Sequence, residues 1–170
     1  DDKNVGLDTA GKKLYDAPFY LDCSSAGQSA LTVRSLCRKL ATKLALKSKK
    51  LDLIVIDYMQ LMGNSTKNYE NRQNEVSEIS RALKMTAIEL DVPLIALSQL
   101  NRKPEDRAGG EPLLSDLRES GSIEQDADVV MMMWREELKD KPSVTKLAIK
   151  KHRNGPMGKF SLFFNKEKTT

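Results

Sequence analysis

The pattern of apolar residues along the chain predicts two amphipathic helices. The first is predicted over 31–47, with Ser29 or Thr32 as its N-terminal cap. Its apolar side chains recur three and four positions apart and form one stripe: Val33, Leu36, Leu40 and Leu44. The second helix is predicted over 70–90, and its apolar face consists of Val76, Ile79, Leu83, Ala87 and Leu90. Each helix therefore has one face suited to packing on a core.

Six short apolar runs predict β-strands around these helices. They are APFYLD (17–22), LDLIVID (51–57), VPLIALS (92–98), DVVMMMW (128–134), TKLAIKK (145–151) and GKFSLFF (158–164). LDLIVID is almost continuously apolar, which is typical of a strand covered on both faces of a parallel sheet. The last two runs flank the turn signal Asn154-Gly155 and predict an antiparallel pair. The alternation predicts an α/β fold with a largely parallel sheet flanked by helices and closed by that pair.

The first residues contain the spacing of a nucleotide-binding P-loop, G-x-x-x-x-G-K, at Gly6, Gly11 and Lys12. A P-loop continues with Ser or Thr, whose hydroxyl ligates magnesium, whereas Lys13 stands at that position here. A buried strand also precedes a P-loop, but only DDKNV precedes Gly6. We therefore interpret this match as coincidental, so that evidence for a nucleotide site has to come from other residues.

Composition permits one soluble domain and argues against a zinc site. The chain has 170 residues, of which 39% are apolar. Cys23, Cys37 and His152 lack the spacing of zinc ligands, and no apolar run is long enough to span a membrane. Two cysteines without metal-ligand spacing, in a chain without a signal peptide, predict a reducing, cytoplasmic location.

The formal net charge is +4, and the positive charges concentrate near the C-terminus. This basic cluster consists of Lys146, Lys150, Lys151, His152, Arg153, Lys159, Lys166 and Lys168. Clustered cations are compatible with nucleic-acid binding. The alternative is a basic face that only contacts solvent, and charge alone favours that alternative.

Three polar residues follow predicted strands, where ligands of open α/β sheets bind. Asp57 has the position of a Walker B aspartate, whose carboxylate holds magnesium. The Gln99 amide is able to donate to a γ-phosphate and to accept from an attacking water, and Arg153 lies in a tight turn suited to reaching a neighbour's phosphoryl group. Each has an alternative role: loop capping for Asp57, a structural hydrogen bond for Gln99 and a solvated surface charge for Arg153.

Four runs together resemble the DnaB family of hexameric replicative DNA helicases. They are LDLIVIDYMQLM, NRQNEVSEISRALKMTAIELDVPLIALSQLNR, LLSDLRESGSIEQDADVVMMMWREE and KKHRNGP, in the family's order from about residue 14 onward. The resemblance implies a RecA-like motor domain that uses ATP and Mg²⁺, assembles as a homohexameric ring and translocates on single-stranded DNA to unwind the duplex. It also implies a helicase loader and a primase as partners.

The resemblance assigns roles to particular residues. Asp57 matches the Walker B aspartate on magnesium and Gln99 the sensor of the γ-phosphate, while Lys151 and Arg153 match the lysine and arginine finger that reach the ATP of the next subunit. His152 stands where the family often has glutamine, a change expected to leave the finger intact. DLRESGS matches the DNA-binding loop and contributes Arg118, Glu119 and Gly121.

The DNA-binding loop also has a rationale that is independent of the family. A glycine lets the backbone approach a phosphate closely, and Arg118 adds charge that favours an anion. Glu119 and Asp126 have the alternative role of capping or bridging loops.

One departure from the family concerns the phosphate cradle, because no Walker A loop precedes APFYLD. We therefore expect residues 14–170 to be the C-terminal part of a motor domain, incomplete on its N-terminal side, with 1–13 as a connecting segment. We also expect no ATP hydrolysis by this chain alone. Two alternatives remain open, a non-catalytic module that binds DNA or a partner protein, and another RecA-like ATPase of the recombinase or KaiC type.

Overall fold

A computed structural model describes residues 2–22, 28–63, 72–101, 110–117, 121–136 and 144–164, with side chains from residue 9 onward. Four α-helices are present in these ranges: α1 Asp2–Asp16, α2 Ala30–Ala45, α3 Arg72–Leu90 and α4 Gly121–Asp126. Five strands accompany them: β1 Ile54–Ile56, β2 Leu94–Ala96, β3 Val129–Glu136, β4 Val144–His152 and β5 Gly158–Leu162. Two short 3-10 turns cover Met59–Leu61 and Leu114–Asp116.

The two predicted amphipathic helices are confirmed as α2 and α3. Ser29 caps α2, since its hydroxyl accepts a hydrogen bond from the Thr32 backbone N–H at 3.2 Å. On α3 the predicted apolar positions Val76, Ile79 and Leu83 are almost fully buried. The polar faces of both helices stay towards solvent, as their periodicity predicts.

The strands form two separate sheets within the described residues. β1 and β2 are parallel, with Ile54 opposite Leu94 and Ile56 opposite Ala96. The other sheet is antiparallel in the order β3-β4-β5, and a register shift lies between Val130 and Met131. The predicted antiparallel pairing of the last two strands is confirmed, and β3 joins them as a third strand. The predicted largely parallel sheet is therefore met only in part, because among the described strands only β1 and β2 are parallel.

Helix α3 is the central element of the core. Its buried face packs with residues of the segment after β1, of α4 and of β3, which include Met59, Met62, Ile123, Val130 and Met132. One face of β3 is therefore buried, whereas Met131 and Met133 on its other face are exposed. The alternation along β3 is that of an antiparallel strand covered on one side only.

Two predictions about strands are wrong. Residues 17–22 form no strand, and the side chains of Phe19, Tyr20 and Leu21 are exposed, because no described strand offers them backbone partners. LDLIVID was expected to be covered on both faces, but Val55 is 55% exposed and its neighbour Ile95 is 43% exposed. That face of the parallel pair is therefore only partly covered by the described residues.

The P-loop spacing near the start of the chain belongs to a helix. Gly6, Gly11 and Lys12 all lie within α1, whereas a phosphate cradle is a loop between a strand and a helix. A Cβ atom added at Gly11 would have no neighbour within 4 Å, so no close approach requires glycine there. The interpretation of this match as coincidental is confirmed.

None of the described helices is long and apolar enough to cross a membrane.

Candidate functional site

Asp57 and Gln99 lie at the same end of the parallel pair. Asp57 directly follows β1, and Gln99 lies three residues beyond the end of β2. The parallel register continues past the strands, since the Leu97 N–H donates to the Ile56 carbonyl and the Met59 N–H to the Leu97 carbonyl, both at 2.9 Å. The carboxyl ends of neighbouring parallel strands share one edge of a sheet, which is where such folds bind ligands.

The Gln60 side chain joins these two strand ends. Its Nε2 donates to the Ser98 hydroxyl at 2.8 Å, and its Oε1 accepts from the Gln99 backbone N–H at 3.2 Å. The bridge fixes the backbone that carries Gln99 relative to the segment that follows Asp57. Sequence reasoning missed Gln60, although it lies within LDLIVIDYMQLM, because its partners are 38 and 39 positions away.

Arg72, at the start of α3, contacts the backbone of the segment that follows Asp57. Its guanidinium donates to the Gln60 carbonyl at 2.7 Å and to the Met62 carbonyl at 3.2 Å, and it also pairs with Glu75. Arg72 therefore anchors the chain after Asp57 to the central helix. Sequence reasoning missed this residue as well.

The side chains of Asp57 and Gln99 are exposed and make no hydrogen bond or ion pair with the part of the chain that the structure describes. The alternative roles of loop capping for Asp57 and of a structural side-chain hydrogen bond for Gln99 therefore have no support in these residues. No group of three or more metal-binding side chains occurs there either. A single free carboxylate nevertheless fits magnesium, which is commonly held by one or two carboxylates together with waters and substrate phosphates.

Lys151 and Arg153 both contact the C-terminal end of α4. The Lys151 ammonium donates to the Glu124 carbonyl, and the Arg153 Nη2 donates to the Gln125 carbonyl at 2.6 Å. The last carbonyls of a helix have no partner within the helix, and cations there are favourable. The structure thus brings the two predicted phosphate-contacting cations together at the C-terminal end of the short helix α4.

The turn that carries Arg153 is shaped by its neighbours. His152 places its ring against Gly155 and contacts the Pro156 carbonyl at 3.1 Å through Nδ1. A Cβ atom added at Gly155 would lie 2.2 Å from the His152 ring, so glycine is required for this arrangement. The His152 ring therefore packs within the turn and leaves the Arg153 side chain, which is 49% exposed, open to solvent.

The predicted DNA-binding loop is described only at its edges. Arg118 and Glu119 lie outside the described residues, and Gly121 is the first residue of α4. Before the loop, the buried Asp116 accepts from the Leu113 N–H at 2.7 Å, and its carbonyl accepts from the Asn101 N–H at 2.9 Å. A Cβ atom at Gly121 would meet nothing within 4 Å, so the backbone there is open to an approaching group.

Glu111, upstream of the same loop, ties that segment to the antiparallel sheet. Its carboxylate pairs with the ammonium groups of Lys150 and Lys159, each at 2.6 Å. Both ammonium groups also lie over the Trp134 ring, at 6.0 and 5.5 Å from its centroid. The described members of the basic cluster therefore contact this chain's own groups, while Lys166 and Lys168 lie outside the described residues.

Acid is expected to weaken the fold through carboxylates whose pKa is lowered, which among the described residues are Glu89, Glu111 and Asp128. Hydrogen bonds from Lys150 and Lys159 lower the pKa of Glu111, and a hydrogen bond from Lys84 lowers that of Asp128. A carboxylate with a lowered pKa stabilises the folded state above its unfolded value of about 4, and this contribution disappears as the pH falls through the folded value. The urea midpoint should be nearly constant from about pH 8 to 6 and fall from about pH 5 to 3.

The control for this measurement is the double variant Glu111→Gln with Asp128→Asn. The Glu111 side chain is 36% exposed and that of Asp128 is 54% exposed. Ion pairs at such partly exposed sites contribute little, so the variant should show only a slightly lower midpoint at pH 7, together with a shallower decline in acid. An unchanged acid decline in the double variant would show that other carboxyl groups are responsible.

Comparison with solved structures defines the class of fold. An ATPase domain superposes with a TM-score of 0.75 at 44% identity, over 85% of this chain and 51% of that one. A DnaB-like replicative helicase, solved in a study of its interactions with primase, gives a TM-score of 0.74 at 44% identity, over 84% of this chain and 34% of that one. Over the part that superposes, the chain has the fold of RecA-like ATPase domains of DnaB-like helicases.

Sequence comparison narrows the class to a family. The family described as DnaB-like helicase C terminal domain matches residues 1–170, and the chain belongs to it. It is 53% identical to a replicative DNA helicase DnaB of Leifsonia xyli over 85% of this chain and 31% of the relative. It is 46% identical to a replicative DNA helicase DnaB of Geobacillus stearothermophilus over 95% of this chain and 35% of the relative. The chain thus spans about a third of the length of these relatives.

Proposed function

We propose that this chain is part of an ATP-dependent replicative DNA helicase. It supplies the magnesium ligand of one ATP site and the cations that act on the ATP of a neighbouring subunit. The observation that carries the proposal is that Asp57 and Gln99 lie at the same edge of the parallel strands. Neither side chain has a hydrogen-bond or ion-pair partner among the described residues. Membership of the DnaB-like family supports it. The alternative of a recombinase or KaiC-type ATPase has no support among the matches described above.

Asp57 and Gln99 act on the same nucleotide. The Asp57 carboxylate would hold Mg²⁺, which neutralises charge on the β- and γ-phosphate oxygens when bound. The Gln99 amide both donates and accepts hydrogen bonds, so it distinguishes a γ-phosphate from its absence and orients the attacking water. Gln60 contributes by keeping the two strand ends in register.

Lys151 and Arg153 act on the nucleotide of a neighbouring subunit. Arg153 lies in a tight turn, and about half of its side chain is exposed although its guanidinium contacts Gln125 and Asp128. A guanidinium remains charged at all relevant pH values and matches phosphate geometry with several N–H donors. Such a group stabilises charge on the transferred phosphoryl group. Because Arg153 acts on the nucleotide of a neighbour, this role requires assembly into a ring of identical subunits.

Arg118, Glu119 and Gly121 form the contact with single-stranded DNA. The open surroundings of Gly121 allow a phosphate to approach the main chain, and contacts of this kind carry no base information. The parent protein is a cytoplasmic homohexamer that translocates on single-stranded DNA and unwinds duplex DNA. A loader and a primase are its further partners, and the similar DnaB-like helicase that was solved in a study of its interactions with primase supports the second of these.

The first test uses the chain by itself. Because its sequence contains no Walker A loop to hold the phosphates, we expect ATP turnover no higher than that of a buffer blank. Turnover is measured by phosphate release with single-stranded DNA present. The matched control is Asp57→Ala, which should be indistinguishable from the unmodified chain. Turnover that is lost in Asp57→Ala would contradict the proposal, because the chain would then contain a complete ATP site.

The DNA contact is tested by Gly121→Ala in the chain. A methyl group there meets no neighbour, so the urea midpoint should not fall, whereas affinity for single-stranded DNA at low salt should decrease about fivefold through loss of a main-chain phosphate contact. Binding is measured by fluorescence anisotropy at several salt concentrations, since phosphate contacts make affinity fall with salt.

Gly11→Ala is the control for Gly121→Ala, because a methyl group at that glycine also has open space and α1 has no proposed DNA contact. Equal affinity of the two variants would reject the proposed contact at Gly121. Absence of DNA binding by the unmodified chain at low salt would reject the DNA-binding role of the loop in this chain.

A further inference from the structure

Asp128 lies at the junction between α4 and β3 and faces Arg153. The β3–β4 register pairs Val129 with His152, and it continues by one residue because the Arg153 N–H donates to the Asp128 carbonyl at 2.9 Å. The side chains also meet, with the Asp128 Oδ1 at 3.4 Å from the Arg153 Nη1. Asp128 therefore contacts both the backbone and the guanidinium of Arg153.

The second oxygen of Asp128 connects this contact to the core. Oδ2 pairs with the ammonium group of Lys84, a residue of α3 whose side chain is only 28% exposed. The hydrogen bond from Lys84 lowers the pKa of Asp128, and the charges of Arg153 and Lys151 act in the same direction, so the carboxylate is ionised at neutral pH. The Asp128 carboxylate thus links Lys84 of the central helix to Arg153 through two ion pairs.

These contacts restrict Arg153 without using up its donors. Nη2 donates to the Gln125 carbonyl and Nη1 faces Asp128, while a guanidinium has five N–H groups in all. An exposed arginine at a turn loses considerable rotamer freedom when it contacts a ligand, and a side chain that is already oriented loses less. A held guanidinium with free N–H groups is therefore better suited to act on a phosphoryl group than a mobile one.

We propose that Asp128 is a positioning residue for Arg153 and orients the guanidinium for its contact with the neighbouring subunit's nucleotide. This proposal rests on the proposed function of Arg153. Asp128 itself does not touch the nucleotide.

The experiment is a double-mutant cycle in a complete helicase. This chain replaces the matching segment of the Geobacillus stearothermophilus relative, and the kcat and KM for ATP are measured with single-stranded DNA present. Asp128→Ala should lower kcat about threefold to fivefold with KM unchanged, the upper part of the range expected for an exposed ion pair. Asp128→Glu should restore most of the rate. In the Arg153→Ala background, Asp128→Ala should have no further effect.

Three outcomes separate the possibilities. An Arg153→Ala chimera with unchanged turnover overturns the proposed function of Arg153, and the positioning role with it. Loss of turnover in Arg153→Ala combined with an additive effect of Asp128→Ala overturns only the positioning role, because independent residues have additive effects. A rise in KM with unchanged kcat in Asp128→Ala also overturns it.

A second measurement uses the 170-residue chain itself and does not depend on the chimera. Amide hydrogen exchange at residues 152–155 should become faster in Asp128→Ala, because the turn loses an anchor. Exchange within α3 should stay the same, because that helix loses only the side-chain ion pair of Lys84 and keeps its buried face. Asp52→Ala is the control, since this exposed carboxylate lies before β1 and far along the chain from the turn. Unchanged exchange at 152–155 would overturn the positioning role.

Discussion

Replacing Arg153 by alanine in the Geobacillus stearothermophilus chimera is expected to lower the kcat for ATP about a thousandfold, the lower end of the range for arginine fingers. In its proposed role the guanidinium would stabilise charge that develops on the phosphoryl group only in the transition state, so the loss should appear in kcat. The measurement is steady-state phosphate release with single-stranded DNA present. Assembly is followed by sedimentation, because the proposal requires that the ring survives the substitution.

Arg81→Ala is the matched control for Arg153→Ala. Arg81 is an exposed arginine on α3, and it makes no contact with the turn after β4 among the described residues. Its removal should change kcat less than twofold, about the effect of an ordinary surface substitution. Equal rates for Arg153→Ala and Arg81→Ala would reject the trans-acting role and would favour the alternative that Arg153 is a solvated surface charge.

The second large effect is expected for Asp57→Ala in the same chimera. We expect kcat to fall about a hundredfold to a thousandfold, because a bound metal ion contributes several kcal/mol of charge stabilisation in the transition state. The Mg²⁺ concentration that gives half-maximal turnover should rise as well, since the only remaining ligands would be the P-loop hydroxyl, waters and phosphate oxygens. A titration of turnover against Mg²⁺ at saturating ATP provides both quantities.

Asp52→Ala controls for the loss of a carboxylate near the same strand. Asp52 precedes β1 and is exposed, whereas Asp57 follows the strand at its carboxyl end. A polar group at the opposite end of a parallel strand is remote from the ligand edge, so turnover and the Mg²⁺ requirement should not change. If Asp57→Ala has the same Mg²⁺ dependence as the unmodified chimera, Asp57 is not a magnesium ligand.

Local patterns were sufficient to predict the helices and several of the strands. Helix α2 was predicted over 31–47 and spans Ala30–Ala45, and α3 was predicted over 70–90 and spans Arg72–Leu90. Periodicity predicts these elements because every third or fourth side chain of a helix faces the same side. The strand over 17–22 failed for the opposite reason, since a strand depends on backbone partners elsewhere in the chain.

The sequence by itself determined the common edge of Asp57 and Gln99, because each follows an apolar run and parallel strands end at the same edge. Only the tertiary structure decided how those residues are held. The bridge from Gln60 to Ser98 and the contacts of Arg153 with Asp128 and α4 join positions from 25 to 38 residues apart. Such contacts depend on strand register and helix packing, which no local pattern encodes.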